Sequence, residues 1–421
     1  MAAHETSRLF EPPVSVMFPT MAETPLDEFP AELTEPAAQL RPESFFAAMH
    51  EQSPVRWDDT RGCWDVFGYE AVRTVAADNE AFSVRMDANP DFDEGGDDPP
   101  LLAESMLHAD PPRHDRLRSV VDQWFTPAAV GERRDAIERA ATALLDDVLD
   151  EATSAKSATT FDLVDDFAYP LTVETIAETI GVPPSDRDHV REWTKFAMAA
   201  GDSDGSLPAL LEYFETLEDR RREDSTDDLA SDIAAAEHLS SDELRDVFMV
   251  ILLGGLSTTV LIANAVWSLF EADAITEVRN GGYSLDTVIN ETLRHRSPVQ
   301  AHSRYAVERT TVGDVTVEAG DKLCVWYAAA NHDPATFEEP ATFDLDRDAD
   351  PHLAFGTGTH FCLGARLARL EATIALRTLF DRTETVSVDT DALEPTGSVL
   401  LRGPSTMPTT SRPDYTRSSS T

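Results

Sequence analysis

Phe355–Gly364 reads FGTGTHFCLG and stands directly ahead of the run ARLARLEATIALRTLF at 365–380. Gly356, Gly358 and Gly364 surround one cysteine, Cys362. Glycine lets the backbone take positive φ and approach a partner closely. The apolar spacing after the loop predicts a helix over 363–378. A cysteine at such a helix start has its thiolate favoured by the helix dipole and by free N–H groups, which can also hydrogen-bond the sulfur.

Several chemistries compete for this loop. A dinucleotide loop requires a third glycine at the position of Phe361 and a surrounding βαβ unit, and the chain offers neither. A zinc or iron–sulfur site requires partner cysteines, but Cys63 and Cys324 are far off in sequence. A cysteine nucleophile with His360 as base stays open, although a residue two positions away in a tight loop is poorly placed to activate it. A buried inert cysteine leaves the glycines unexplained. A flat cofactor needs a close, glycine-lined approach, so the loop can present a thiolate to haem iron.

Outward from the loop, the chain reads as mainly α with a small late β region and no βαβ alternation. Residues 57–83 read as a hairpin followed by a helix. Residues 110–125 read as a Pro-rich helix entry, and 126–192 as largely helical with a break at Gly181–Pro184. A mobile loop is expected at 220–228. A helix is expected over 283–296, strands over 299–327, and strand-like chain with a turn over 383–408. Residues 1–45 are expected to be a flexible, Pro-rich arm without the pattern of a signal peptide, 46–410 a single domain, and 411–421 a disordered tail. Residues 247–270, VFMVILLGGLSTTVLIANAVWSLF, carry no charge and are long enough to span a bilayer. Their acidic flanks and the lone nearby Arg245 argue instead for a buried central helix and no membrane.

The composition narrows the setting. The 421 residues hold 34 Lys and Arg against 78 Asp and Glu, a formal net charge of −44. That field repels phosphate, so nucleic acid is excluded as a general partner. Hydrophobic residues make up 42%, enough for a core, so a wholly disordered chain is excluded too. Only Lys156, Lys195 and Lys322 are lysines, and the acids are dispersed. We therefore expect a halophilic cytoplasmic protein whose self-repulsion is screened over about 3 Å in molar salt. Three widely spaced cysteines suit a reducing compartment.

The loop matches Phe-x-x-Gly-x-x-x-Cys-x-Gly, and over about residues 50–410 the chain resembles the cytochrome P-450 family of haem-thiolate monooxygenases, most nearly the soluble bacterial type. Glu291 and Arg294 in ETLR, with Arg347 in FDLDRD, resemble the family's buried Glu-x-x-Arg network. His114 and Arg118 in HDRLR, Arg304, and His360 match positions that bind haem propionates. The run 254–259, GGLSTT, matches the kinked oxygen groove, with Thr258 as the proton-delivering threonine. The chain departs from the family pattern at Ser257, where an acid is usual.

The resemblance implies heme b (iron protoporphyrin IX) with Cys362 as the iron ligand. Phe355, Gly356, Gly364, Gly254 and Gly255 shape its two faces. It implies hydroxylation of an apolar small molecule by a monomeric enzyme using O₂ and electrons from a ferredoxin-type donor with its reductase. Arg113, Arg116, Arg366 and Arg369 are expected either as a cationic docking patch or equally as internal ion-pair partners. Leu253, Val299, Leu400 and residues 87–102 are expected at the substrate. Ser257 motivates a peroxide-driven oxygenase or a non-oxygenating isomerase as an alternative. A haem-based sensor without turnover is the alternative of another class.

Overall fold

A computed structural model describes residues 26, 28–89, 102–150, 158–199 and 206–413. The order of elements begins with helices α1 (Pro36–Leu40) and α2 (Glu43–Gln52). The hairpin β1 (Val55–Asp58) and β2 (Cys63–Val66), then α3 (Tyr69–Ala77) and β3 (Phe82–Ser83), follow. Next come α4 (Arg113–Arg118), α5 (Pro127–Glu132), α6 (Arg134–Asp150), β4 (Thr159–Asp162), α7 (Tyr169–Ile180), α8 (Arg187–Ala199), α9 (Ser206–Glu223) and α10 (Leu229–Ala234). The centre is formed by α11 (Ser241–Gly255) and α12 (Ser257–Glu271), followed by α13 (Ile275–Arg279) and α14 (Leu285–His295). The last part holds β5 (His302–Ala306), β6 (Thr310–Val312), β7 (Val315–Val317), β8 (Lys322–Val325) and α15 (Tyr327–Ala330). It ends with α16 (Ala365–Arg382), β9 (Thr383–Val388), β10 (Glu394–Pro395), β11 (Pro404–Thr406) and β12 (Pro408–Pro413).

The helices dominate, as the apolar spacing predicts, and the sheets are small. One sheet has the order β1-β2-β8-β5-β3, with β2 and β8 parallel and the other pairs antiparallel. A second has the order β4-β12-β9. The large core lies between α6, α7, α11, α12, α14 and α16. Its most apolar element is the stretch 241–271, and 83% of its bilayer-length window is buried inside the protein. This is a core element by packing, which agrees with the acid-flanked sequence reading.

That stretch is two helices rather than one. The α11 ladder stops at Leu256, and α12 restarts at Ser257. Ile176 of α7 would lie 2.3 Å from a Cβ on Gly255, so only glycine lets the two helices approach this closely. A Cβ on Gly254 would meet nothing within 4 Å, and Gly254 is exposed between the buried Leu253 and Leu256. The two adjacent glycines therefore serve different surfaces, one packed and one open.

Other boundaries move. Leu33, Phe45 and Phe46 are buried, so the packed chain begins well before residue 46. Residues 1–25 lie outside the described set. Ser411 is buried within β12, which carries the packed chain to Pro413. Of the expected loop at 220–228, residues 220–223 are the last turn of α9, and 224–228 connect it to α10. Residues 126–192 contain the strand β4, which pairs with β12 from the far end of the chain. That pairing has no local signature.

Candidate functional site

The Cys362 loop closes on itself. The Cys362 N–H donates to Phe355 O at 2.9 Å, and the Phe361 N–H to Gly358 O at 3.1 Å. Gly356 and Gly358 take φ of +68° and +70°, which ordinary residues avoid. A Cβ on Gly358 would sit 2.8 Å from Ala77 Cα, so this glycine also docks the loop on α3. Burial pushes the Cys362 thiol up, while the N–H groups of Gly364 and Ala365 and the Arg118 guanidinium oppose that rise. The sulfur thus sits at the start of α16 with two donors aimed at it, ready to carry negative charge once a cation is bound.

A network behind the loop fixes the chain that leads into it. Glu291 and Arg294 on α14 are fully buried and form a bidentate pair at 2.7 and 2.8 Å. Arg294 also donates to the carbonyls of Asn331, Pro340 and Thr342 at 3.0, 2.8 and 2.9 Å. Glu291 accepts from the Asp344 N–H at 2.9 Å, and Arg347 Nε lies 3.5 Å away. These contacts pin residues 331–347, whose path sets the start of the cysteine loop.

A cluster of nitrogen donors stands beside the loop. The His114 and His360 rings meet edge-on with centroids 4.6 Å apart. Arg118 donates to Phe361 O at 2.8 Å and Thr359 O at 3.3 Å, and pairs with Asp122 at 3.0 Å. Arg304 is buried on β5, with its Nη1 on Ser303 O at 2.8 Å. Two histidines not read from the sequence join them. His302 precedes Arg304 by two residues, on the same face of β5, and alternation in HSRY could have found it. His108 arrives through tertiary folding alone.

Burial and the Arg304 charge hold His360 down to about 2 and His302 to about 3; they hold His108, whose Nδ1 donates to Val84 O and is raised by that contact, to about 4. Arg304 Nε and His360 Nε2 are buried without a hydrogen-bond partner among the described residues. Unmet buried donors are costly, so this cluster is shaped for an anion from outside the chain.

At the α11–α12 break, Ser257 Oγ donates to Gly254 O at 3.0 Å and takes up that carbonyl. Thr258 is buried. Val260, Leu400 and Leu401 form a small apolar cluster with Val299 against it. Leu253 is buried in the main core nearby in sequence. Residues 90–101 of the expected substrate loop lie outside the described set.

The comparisons with known proteins agree with this geometry. Residues 283–406 match the family model described as Cytochrome P450. Cytochrome P450 109 of Bacillus spizizenii is 36% identical over 368 residues, spanning 83% of this chain and 86% of the relative. The chain belongs to the cytochrome P450 family. The 6-deoxyerythronolide B hydroxylase of Saccharopolyspora erythraea is 32% identical, over 85% of this chain and 93% of its own. The crystal structure of CYP109E1 from Bacillus megaterium in complex with testosterone superimposes with a TM-score of 0.77. It is 30% identical and covers 89% of this chain and 98% of that one.

As a cytochrome P450 the protein is a monooxygenase, and its cofactor is haem b held by a cysteine thiolate. The residues present fit that group. The orphan nitrogens of Arg304 and His360 suit two propionate carboxylates, and the open side of Gly254 leaves room for a flat ring.

Of the two roles expected for the four arginines, the contacts favour internal partners over a docking patch. Arg113 pairs with Glu104 and, at 3.2 Å, with Glu243, and Arg116 pairs with Glu243 and donates to His238 O at 2.9 Å. Arg369 bonds Asn290, lies 3.2 Å from His352 Nε2 and covers the Phe355 ring at 5.0 Å. Of the four, Arg366 alone makes no ion pair or hydrogen bond among the described residues and is exposed. The sequence shows the arginines but not the carboxylates that fold onto them.

Proposed function

We propose that this P450 hydroxylates an apolar small molecule, using dioxygen and electrons from a separate ferredoxin-type donor, with Cys362 as the iron ligand. The observation that carries the ligand assignment is the Cys362 sulfur, supported by the Gly364 and Ala365 N–H groups in a glycine-closed loop. Bound haem supplies the redox iron and the dioxygen chemistry. His114, Arg118, Arg304 and His360 hold the propionates, with His302 and His108 beside them. Gly254 and Gly255 shape the opposite face, and Phe355, Gly356 and Gly364 the cysteine face.

Thr258 passes a proton through its hydroxyl to the oxygen side of the site. Ser257 can relay a proton through water but holds none to give, because a hydroxyl is no carboxyl reservoir. An apolar substrate is supported by the Val260, Leu400, Leu401 and Val299 cluster and by the relative crystallised with testosterone. The charge of −44 supports a halophilic, cytoplasmic setting. No docking patch of free arginines supports the donor, so its face is assigned by Arg366 and the exposed Phe361 next to the ligand.

A ligand screen for spin-state shifts in molar KCl, followed by turnover with a ferredoxin and its reductase, tests this reading. Product formation that depends on both proteins and on dioxygen supports it; absence of product with every shifting ligand refutes it. Ser257, tied to Gly254 O, favours one second reading, a peroxide-driven oxygenase. Product from hydrogen peroxide alone at a rate above the reductase-driven one would select it.

A further inference from the structure

We propose that Glu43, His295 and His332 form a binding site for one late first-row divalent metal ion, zinc foremost, separate from the haem site. One ligand atom from each lies within 4.8 Å of the other two. His295 Nε2 bonds the Ala341 carbonyl at 2.9 Å, and His332 Nδ1 bonds the Ala328 carbonyl at 2.8 Å. Each carbonyl can only accept, so those nitrogens carry the protons. The lone pairs remain on His295 Nδ1 and His332 Nε2, and both atoms are buried with no partner. Donation of the second ring nitrogen to a carbonyl is how metal-binding imidazoles are oriented.

The two rings lie 5.5 Å apart, and both residues are more than nine-tenths buried. Burial, aided by neighbouring arginines, holds both imidazoles well below their usual range. Glu43, at the start of α2, is partly exposed and gives the site a way in from solvent.

The arginines oppose any cation, so the choice of ion depends on ligand strength. Arg294, Arg296 and Arg402 each face a carboxylate, at Glu291, Glu271 and Glu43, the first two shared with Arg347 and Arg41. Only Arg402 loses part of its compensation when Glu43 turns toward a metal. Imidazole nitrogen favours late first-row ions over magnesium or calcium. Zinc bound here would tie together α2, the end of α14 and the turn after α15. Its loss would leave the haem assignment untouched.

The test uses the haem-loaded protein in molar KCl with millimolar Mg(II), which occupies the acidic surface. Zn(II) is added, unbound metal removed, and zinc and iron measured by elemental analysis. We expect about one zinc per haem iron and a melting temperature raised by Zn(II) but not by further Mg(II). His332→Asn removes a direct ligand and should weaken zinc binding by more than the roughly 10- to 100-fold that loss of an outer-shell partner costs, with the haem spectrum unchanged as the check on folding. A zinc-to-iron ratio far below one overturns the proposal. So does zinc that is displaced by Mg(II) or taken up equally by the variant, since it would then reside on surface carboxylates alone. The wild-type ratio decides the matter even if the variant does not fold.

Discussion

Replacing Arg294 by lysine separates a buried clamp from an ordinary ion pair on a helix. Arg294 makes five hydrogen bonds, two to Glu291 and one each to the carbonyls of Asn331, Pro340 and Thr342. An ammonium has three donors and no planar fork, so at least two of these acceptors lose their partner. An unmet buried acceptor costs about 1–3 kcal/mol. The variant should therefore lose about 2–6 kcal/mol, a large share of the roughly 5–15 kcal/mol that holds a folded domain. A surface ion pair at the same spacing would be worth about 0–1 kcal/mol. Urea unfolding at fixed molar KCl measures the difference, and haem retention reports on the cysteine loop downstream. A loss below about 1 kcal/mol, with full haem content, would refute the reasoning.

Glu371 on α16 is buried, and burial, only partly offset by the nearby Thr172 hydroxyl, pushes its carboxyl up to about 8. The folded state then holds a proton that the unfolded state lacks between about pH 4.5 and 8. Its contribution is complete below that window and falls by at most about 1.4 kcal/mol per unit as pH rises through it. Glu371→Gln should flatten that part of the stability profile, and an unchanged slope would contradict the assignment. Gly358→Ala forces a side chain into φ +70° and toward Ala77 Cα. It should cost about 2–4 kcal/mol and lower haem content, measured by absorbance ratio and thermal melting. Ser257→Asp should raise the fraction of consumed NAD(P)H that appears as product by several-fold; unchanged coupling would show that the proton comes by another route.

The cysteine loop was legible because its chemistry is local. Positive φ demands glycine at Gly356 and Gly358, and both glycines are visible in the sequence. The Glu291–Arg294 spacing was legible too, but its burial was not, because the three carbonyls that Arg294 binds come from a segment 37 to 48 positions on. The uncharged stretch 247–270 showed a buried element correctly; the break at Leu256 was expected only through the resemblance of GGLSTT, and the close approach of Ile176 to Gly255 beside it has no local signature. His108 carried no pattern, since only the fold brings it toward Arg304. Which of their two expected roles the arginines take was hidden for the same reason. Glu243 lies 130 positions from Arg113 in sequence, and nothing local predicts that they meet. Phe45 was assigned to a flexible arm because the segment before it is Pro-rich, but its burial depends on Trp326 far along the chain.

The most direct measurement is the absorption spectrum of the reduced protein under carbon monoxide, for the wild type and for Cys362→His, each loaded with haem. The account predicts the strongly red-shifted Soret band of a thiolate-bound ferrous carbonyl in the wild type, and its replacement in the variant by the shorter-wavelength band of imidazole ligation. A wild type that never shows the red-shifted band, or a variant that keeps it, would contradict the assignment of Cys362 as the iron ligand.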